Sequence, residues 1–209
     1  MAFIDQNEDS INLSPYSLTP ISFDNVLQTR IDQSFAVTHI NIRSLSRNID
    51  DLKKLNECNI KSKFDIIGLS EVWNVSHPSL FGLECFNLEL NCRQGNVRGG
   101  GVGAYIHSSL KYKRLDVNEI PHAEYLWLEV LFNKKKVIVG IGYRKPNTNI
   151  NEFQNTLSNV LYSLKLDKHY CVLMGDLNIN LIDNDYEAEN LLTVMYCLGL
   201  YQLISYPAR

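Results

Sequence analysis

The sequence contains no apolar run near the roughly 20 residues that cross a bilayer. Its start, Met1-Ala2-Phe3-Ile4-Asp5-Gln6, lacks the basic segment and apolar stretch of a signal peptide. Both absences point to a soluble chain of the nucleus or cytoplasm with no membrane partner. Nor is there an excess of positive charge: 20 Lys and Arg against 23 Asp and Glu leave a net charge of −3. That excludes a histone-like, wholly basic nucleic-acid binder, but not a nuclease, whose active-site carboxylates offset basic residues elsewhere. The five cysteines, Cys58, Cys85, Cys92, Cys171 and Cys197, are scattered and form no Cys-x-x-Cys pair. A zinc site or disulfide framework is thereby disfavoured, and reduced, mostly buried thiols are expected. Internal repeats and low-complexity tracts are absent too.

What is present suits one large domain preceded by a tail. The 209 residues are 45% hydrophobic, enough to bury a sizeable core. Residues 1–33 are rich in Asn, Asp, Ser and Gln and broken by Pro15 and Pro20, and are expected to be a poorly ordered tail or linker. Residues 34–209 carry structure. Segments 35–41 and 64–70 are short, apolar and β-branched, as buried strands are, and flank a helical periodicity of Leu45, Ile49, Leu52 and Leu55 with Ser46 as cap. Strand, helix, strand in that order predicts a parallel crossover. Segments 86–92, 102–107, 113–117, 126–132 and 136–143 read as an antiparallel meander. A helix over 150–166, a strand over 170–175 and a helix over 186–198 ending at Gly199 complete the pattern. Such an order implies an α/β sandwich of two packed sheets flanked by helices.

Polar residues gather where the predicted buried strands end. Asn41 ends the first, Glu71 follows the second, Tyr143 ends the long hairpin, and Asp176 with Asn178 follows the last. Strand ends are where loops expose side chains that a sheet holds rigid. Glu71 and Asp176 are hard oxygen ligands of the kind Mg²⁺ or Mn²⁺ takes, and the Asn41 amide can complete the shell. A cation held by so few protein ligands keeps positions for water and a phosphate oxygen, which suits phosphodiester hydrolysis. Tyr143 and Asn178 supply neutral donors for the non-bridging oxygens. Taken singly, each has a blander reading: an Asp after a strand caps a turn, a Glu there is solvated, a hairpin Tyr packs.

The grouping shifts that balance, because Val172-Leu173-Met174-Gly175-Asp176-Leu177-Asn178 resembles the Gly-Asp-x-Asn signature of the exonuclease–endonuclease–phosphatase family. Ile66-Ile67-Gly68-Leu69-Ser70-Glu71-Val72-Trp73 resembles that family's metal-binding glutamate segment, and His39-Ile40-Asn41-Ile42-Arg43-Ser44-Leu45 its first strand. Order and spacing agree from about residue 35 to the end. Within the family the likeness is greatest to the apurinic-type endonucleases of LINE-like, jockey-type non-LTR retrotransposons. The phrases that carry it are Asn41-Ile42-Arg43-Ser44-Leu45, Arg98-Gly99-Gly100-Gly101-Val102, Gly142-Tyr143-Arg144-Lys145-Pro146 and Gly175-Asp176-Leu177-Asn178-Ile179-Asn180-Leu181. The resemblance implies a four-layer, DNase I-like sandwich, with Glu71 and Asn41 on Mg²⁺ or Mn²⁺. It further implies Tyr143 and Asn178 on the scissile phosphate, and Asp176 orienting or deprotonating the attacking water.

The family pattern continues with a Ser-Asp-His segment that is not found here. His39, His77, His107, His122 and His169 stand in no such motif and are given structural or surface roles. The expectation is a fragment missing its last strands, of reduced or no activity, with a reverse-transcriptase domain downstream in the full-length element. For DNA contact, Arg144 and Lys145 adjoin Tyr143, and Arg98 opens the glycine loop. Lys134, Lys135 and Lys136 are read as a solvated hairpin edge, the glycine loop as a turn, and Trp73 as either a base-stacking or a buried ring. Two alternatives stay open: a phosphatase of phosphoinositides or other small phosphoesters, and a catalytically dead remnant that binds nucleic acid.

Overall fold

Side-chain alternation along the strands determines how the layers stack. In this computed structural model, residues 2–5, 34–57, 64–93, 98–118, 120, 122–165, 169–181 and 186–203 are described. The strands are β1 (Ala2–Asp5), β2 (Val37–Asn41), β3 (Ile66–Ser70), β4 (Phe86–Asn91), β5 (Val102–His107), β6 (Lys111–Arg114), β7 (Ala123–Phe132), β8 (Lys135–Arg144), β9 (Tyr170–Asp176) and β10 (Leu200–Gln202). The helices are α1 (Leu45–Glu57), α2 (Ile150–Ser163) and α3 (Tyr186–Cys197), with a single 3₁₀ turn at Pro78–Phe81. Six strands form one sheet in the order β10-β1-β9-β8-β7-β6, and four form a second in the order β2-β3-β5-β4. β2 pairs with β3 and β8 with β9 in parallel, while the hairpin pairs are antiparallel, so both sheets are mixed.

Each strand sends alternate residues to opposite faces. On the small sheet, Ile66, Val102, Ala104 and Ile106 meet Leu126, Leu128, Val139, Ile141, Val172 and Met174 of the large one. The opposite face of the small sheet, with Ile67, Leu69 and Tyr105, is covered by Leu45, Ile49 and Leu52 of α1. The outer face of the large sheet, with Tyr125, Trp127, Ile138 and Leu173, is covered by Phe153, Leu157 and Leu161 of α2 and by Leu191 and Met195 of α3. The result is helix, sheet, sheet, helix: the expected four-layer α/β sandwich.

Several local expectations shift. The meander divides between the sheets: after β5 the chain turns at His107–Leu110 and enters the large sheet as β6. β6 lies at Lys111–Arg114 rather than 113–117, because pairing with β7 (Lys111↔Leu131 to Arg114↔Leu128) sets its register and an edge strand tolerates charge. Helix α1 opens at Leu45, with the Ser44 carbonyl accepting from Arg47 and Asn48 amides; Ser46 therefore lies inside the helix and does not cap it. Ala2–Asp5, within the expected tail, is a strand antiparallel to both β9 and β10. Four residues are too few to show a period. Residues 6–33 of that tail, and Cys58, lie outside the described residues. Of the other cysteines only Cys171 is buried; Cys85 and Cys197 are exposed and Cys92 is half-buried, so the expectation of mostly buried thiols fails.

Candidate active site

The candidate residues cap the inter-sheet core. In β2 the parity of Val37 carries through His39 to Asn41; in β8 that of Val137, Val139 and Ile141 ends on Tyr143. In β9 the parity of Val172 and Met174 ends on Asp176. An apolar layer thus turns polar in its last row, at the ends of strands from both sheets. Tyr143 and Asp176 are register partners across β8 and β9. From the other sheet, Asn41 Nδ2 donates to Asp176 Oδ2 at 2.8 Å, a bond that ties the two sheets together at this end.

The backbone pays for this placement locally. Gly175 has φ +151°, and a Cβ there would overlap the Gly142 carbonyl, its partner across the parallel pair. Only glycine lets the main chain approach so closely just before Asp176. Glu71 (φ 53°) and Trp73 (φ 61°) hold left-handed conformations that non-glycine residues rarely adopt. Main-chain hydrogen bonds enforce them: Ser44 N donates to Glu71 O at 2.8 Å, Leu45 N to Val72 O at 3.1 Å, and Trp73 N to Gly100 O at 2.9 Å. The consecutive positive φ values of Gly99, Gly100 and Gly101 form the turn that supplies the last of these acceptors, and Gly101 O also accepts from Val72 N at 3.3 Å. That loop is no anion cradle, since the Gly101 amide already faces Glu124 Oε2 at 3.4 Å.

Aromatic and charged groups surround the carboxylates. Trp73 Nε1 donates to Glu71 Oε2 at 3.2 Å, and the exposed Arg98 lies 5.3 Å above the Trp73 ring. Arg93 pairs with Glu124 and stands 5.9 Å from the centre of the Tyr143 ring. Burial, followed by the Glu71 charge, pushes the Tyr143 hydroxyl up to about 12, with Arg93 opposing and Asp176 adding. It is therefore a protonated donor at neutral pH. His39 is pushed down to about 3, chiefly by burial and partly opposed by Asp176; its Nε2 is buried without a partner. A neutral imidazole, half-buried with its Nε2 shut off from solvent, agrees with the structural role expected of it.

The donor set fits a hard divalent cation. Asn41 Oδ1 is buried and has no hydrogen-bond partner, while the Nδ2 of the same amide is committed to Asp176. An orphaned buried oxygen beside a carboxylate is costly unless something electropositive meets it. Among the described residues no three His, Cys, Asp or Glu side chains cluster as a metal cage. The fit is to Mg²⁺, which takes one or two carboxylates and retains water, rather than to zinc.

The remaining candidates divide. Asn178 (φ 50°) is exposed; its main-chain N donates to Asp176 Oδ1 at 3.2 Å and its Nδ2 donates to Arg144 O at 2.6 Å. Lys145 is exposed. Arg144, expected beside it as a DNA contact, is buried with its guanidinium turned inward. Lys136 and Lys113 bracket Glu129, so part of the basic hairpin is committed to surface ion pairs. Sequence reasoning missed the Arg93–Glu124 pair and the inward Arg144. Arg93 stands in no motif, the phrase holding Arg144 says nothing of which way its side chain turns, and both depend on residues 31 to 34 positions away.

Comparison with known proteins agrees with the fold. No curated protein matches the sequence. Among solved structures, the endonuclease domain of TRAS1, a telomere-specific non-LTR retrotransposon, superposes with a TM-score of 0.56 at 12% identity, covering 79% of this chain and 71% of that one. A humanized D. rerio TDP2 gives 0.54 at 17%, covering 75% and 70%. The Bacteroides thetaiotaomicron mannosyl-6-phosphatase Bt3783 gives 0.57 at 11%, covering 77% and 70%. At such identities the likeness is one of fold. The chain spans 64% of a D. rerio TDP2 chain solved with a single-strand DNA product. The model of the Endonuclease/Exonuclease/phosphatase family matches residues 38–196, a stretch that includes Asn41, Glu71, Tyr143, Asp176 and Asn178, and the chain belongs to that family.

Proposed function

We propose that this site carries out Mg²⁺-dependent hydrolysis of phosphodiesters and that its substrate is DNA, nicked as by the endonuclease of a non-LTR retrotransposon. The observation that carries the reading is the convergence of Asn41, Tyr143 and Asp176 on one end of the inter-sheet core, with Asn41 Oδ1 left unpaired. Glu71 and Asn41 would hold the cation, Mn²⁺ serving in place of Mg²⁺. When bound, the ion would neutralise charge developing on the phosphate. Asp176 orients the attacking water and accepts its proton, and Asn41 Nδ2 steadies that carboxylate. Tyr143 donates to a non-bridging oxygen, and its raised pKa keeps the proton in place across the working range. Asn178 spends one amide hydrogen on Arg144 O, leaving the other for the phosphate. Arg98 and Lys145 are exposed cations for flanking phosphates. A reverse-transcriptase domain is the companion this reading implies.

The test is nicking of supercoiled plasmid with Mg²⁺ or Mn²⁺, set beside phosphate release from small phosphoesters. Nicking that EDTA abolishes, and that Glu71→Gln and Asp176→Asn each reduce at least a hundredfold, is the expected result. Phosphate release without nicking transfers the site to a small phosphoester. DNA binding untouched by Glu71→Ala, with no cleavage in any divalent metal, makes the chain a binding remnant.

A further inference from the structure

Arg144 ends β8 one residue beyond Tyr143, and only 4% of it is exposed. Its guanidinium spends donors in three directions. Nε donates to Leu177 O at 2.7 Å and Nη2 to Asn178 O at 2.9 Å, both in the loop that follows Asp176. Nη1 donates to Thr148 O at 3.1 Å and to Thr148 Oγ1 at 3.0 Å, in the turn that precedes α2. The Thr148 hydroxyl in turn donates to Lys145 O at 2.8 Å. The connection is returned, since Asn178 Nδ2 donates to Arg144 O at 2.6 Å. Beneath the guanidinium, 5.7 Å away, lies the ring of the fully buried Phe153 of α2.

Among these contacts no carboxylate is hydrogen-bonded to the guanidinium, and burying a charge is unfavourable unless its donors are satisfied. Here main-chain carbonyls satisfy them. The carbonyls belong to a loop that needs holding: Gly175 and Asn178 both have positive φ, as does Asn147 in the facing turn. A planar fork of five donors can serve two separate stretches of backbone through three nitrogens at once, which a single ammonium cannot do in the same geometry.

We propose that Arg144 is a positioning residue, a latch that joins the loop after Asp176 to the end of β8 and to the turn before α2, and so fixes the Asn178 amide. The catalytic consequence rests on the proposed role of Asn178 at the phosphate; the latch itself does not. Arg144 therefore contributes nothing to the phosphate-contact count, in contrast to the exposed Lys145 next to it.

The test uses the full 209-residue chain with Arg144→Lys and Thr148→Val, folding checked by circular dichroism. Arg144→Lys keeps the charge but is expected to raise amide hydrogen exchange at least tenfold over residues 143–149 and 175–181, and to move the Asn178 side-chain amide resonances. Thr148→Val, lacking one acceptor, is expected to raise exchange a few-fold over 143–149. In nicking, Arg144→Lys should lower kcat at least tenfold with KM changed less than threefold. The salt dependence of DNA binding should stay as in the wild type, whereas Lys145→Gln lowers its slope by about one. Unchanged exchange over 175–181 in Arg144→Lys overturns the latch. If that variant does not fold, unchanged exchange over 143–149 in Thr148→Val overturns it. A wild-type chain that neither nicks nor binds DNA removes the functional reading alone, and exchange still decides the latch.

Discussion

Asn41→Asp is the sharpest probe of the link between the two sheets. The substitution alters almost no volume, but it replaces the donor that lies 2.8 Å from Asp176 Oδ2 with an acceptor of like charge. Losing a hydrogen bond to a charged group costs about 1.5–3 kcal/mol. Two carboxylates about 3 Å apart repel by on the order of 5 kcal/mol at an effective dielectric constant of 20, before relaxation. Asp176 is half-exposed, so rotation and solvent reduce that to roughly a third of the value. The net expectation is about 3–5 kcal/mol, or roughly 10 °C in Tm for a chain of this size. If the Asn41 and Glu71 oxygens are cation ligands, Mg²⁺ or Mn²⁺ should recover much of the loss. Saturation at a hundred times Kd is worth about 2.7 kcal/mol, and the added carboxylate should tighten binding beyond wild type. The measurement is Tm by differential scanning fluorimetry, with and without divalent ion. A metal-free variant within about 2 °C of wild type, or a Tm rise with Mg²⁺ no larger than that of wild type, refutes the reasoning.

Three further outcomes follow from the same geometry. Gly175→Ala places a methyl group into the Gly142 carbonyl at a φ of +151°, and should cost at least about 3 kcal/mol in urea unfolding while abolishing metal-dependent activity. Tyr125→Phe removes a hydroxyl that is buried with no partner and should raise stability by about 1 kcal/mol. Because burial raises the pKa of Tyr125 and of Tyr105, their contribution is complete below about pH 10 and is lost as pH rises beyond it. The variant should therefore lose less stability than wild type between pH 9 and 11. Gly68→Ala brings a Cβ to 3.1 Å from Met174 Sδ and 3.2 Å from Ile141 Cγ1, and should cost about 1–2 kcal/mol in urea unfolding, with a larger proportional loss of nicking.

The elements were legible where an apolar period was long or a motif stood at its end. Residues 102–107, 150–163 and 170–176 were read to within a few positions. Asn41, Tyr143 and Asp176, spread over 135 positions, were read from type and place and do meet in the structure. What escaped was set by contacts with no local signature. The chain's passage from β5 into the other sheet is decided by which partner each hairpin finds, and alternation is the same in either sheet. The register of β6 came from β7, not from its own Lys-Tyr-Lys-Arg composition. Arg144 reads as a surface cation in sequence because a basic residue beside a catalytic tyrosine suggests phosphate. Only the fold reveals two backbone segments, 177–178 and Thr148, converging on its guanidinium.

The placement of Asp176 connects core packing to chemistry. Its carboxylate is located by β9, whose approach to β8 needs Gly175, and by Asn41, which belongs to the other sheet. The separation of the sheets near that bond is set by Gly68, the register partner of His39, where Met174 and Ile141 fill the space a side chain would occupy. Gly140 and Gly142 play the matching part on the outer face, where the stacked Trp127 and Tyr125 rings cover them. Small residues thus set both the distance between strands and the distance between sheets at the end where polar groups meet. A packed interior changes in discrete steps rather than continuously. A core substitution that parts the sheets by a few tenths of an ångström should therefore weaken the Asn41–Asp176 bond before it unfolds the domain. In this fold, activity is the more sensitive reporter of inter-sheet packing.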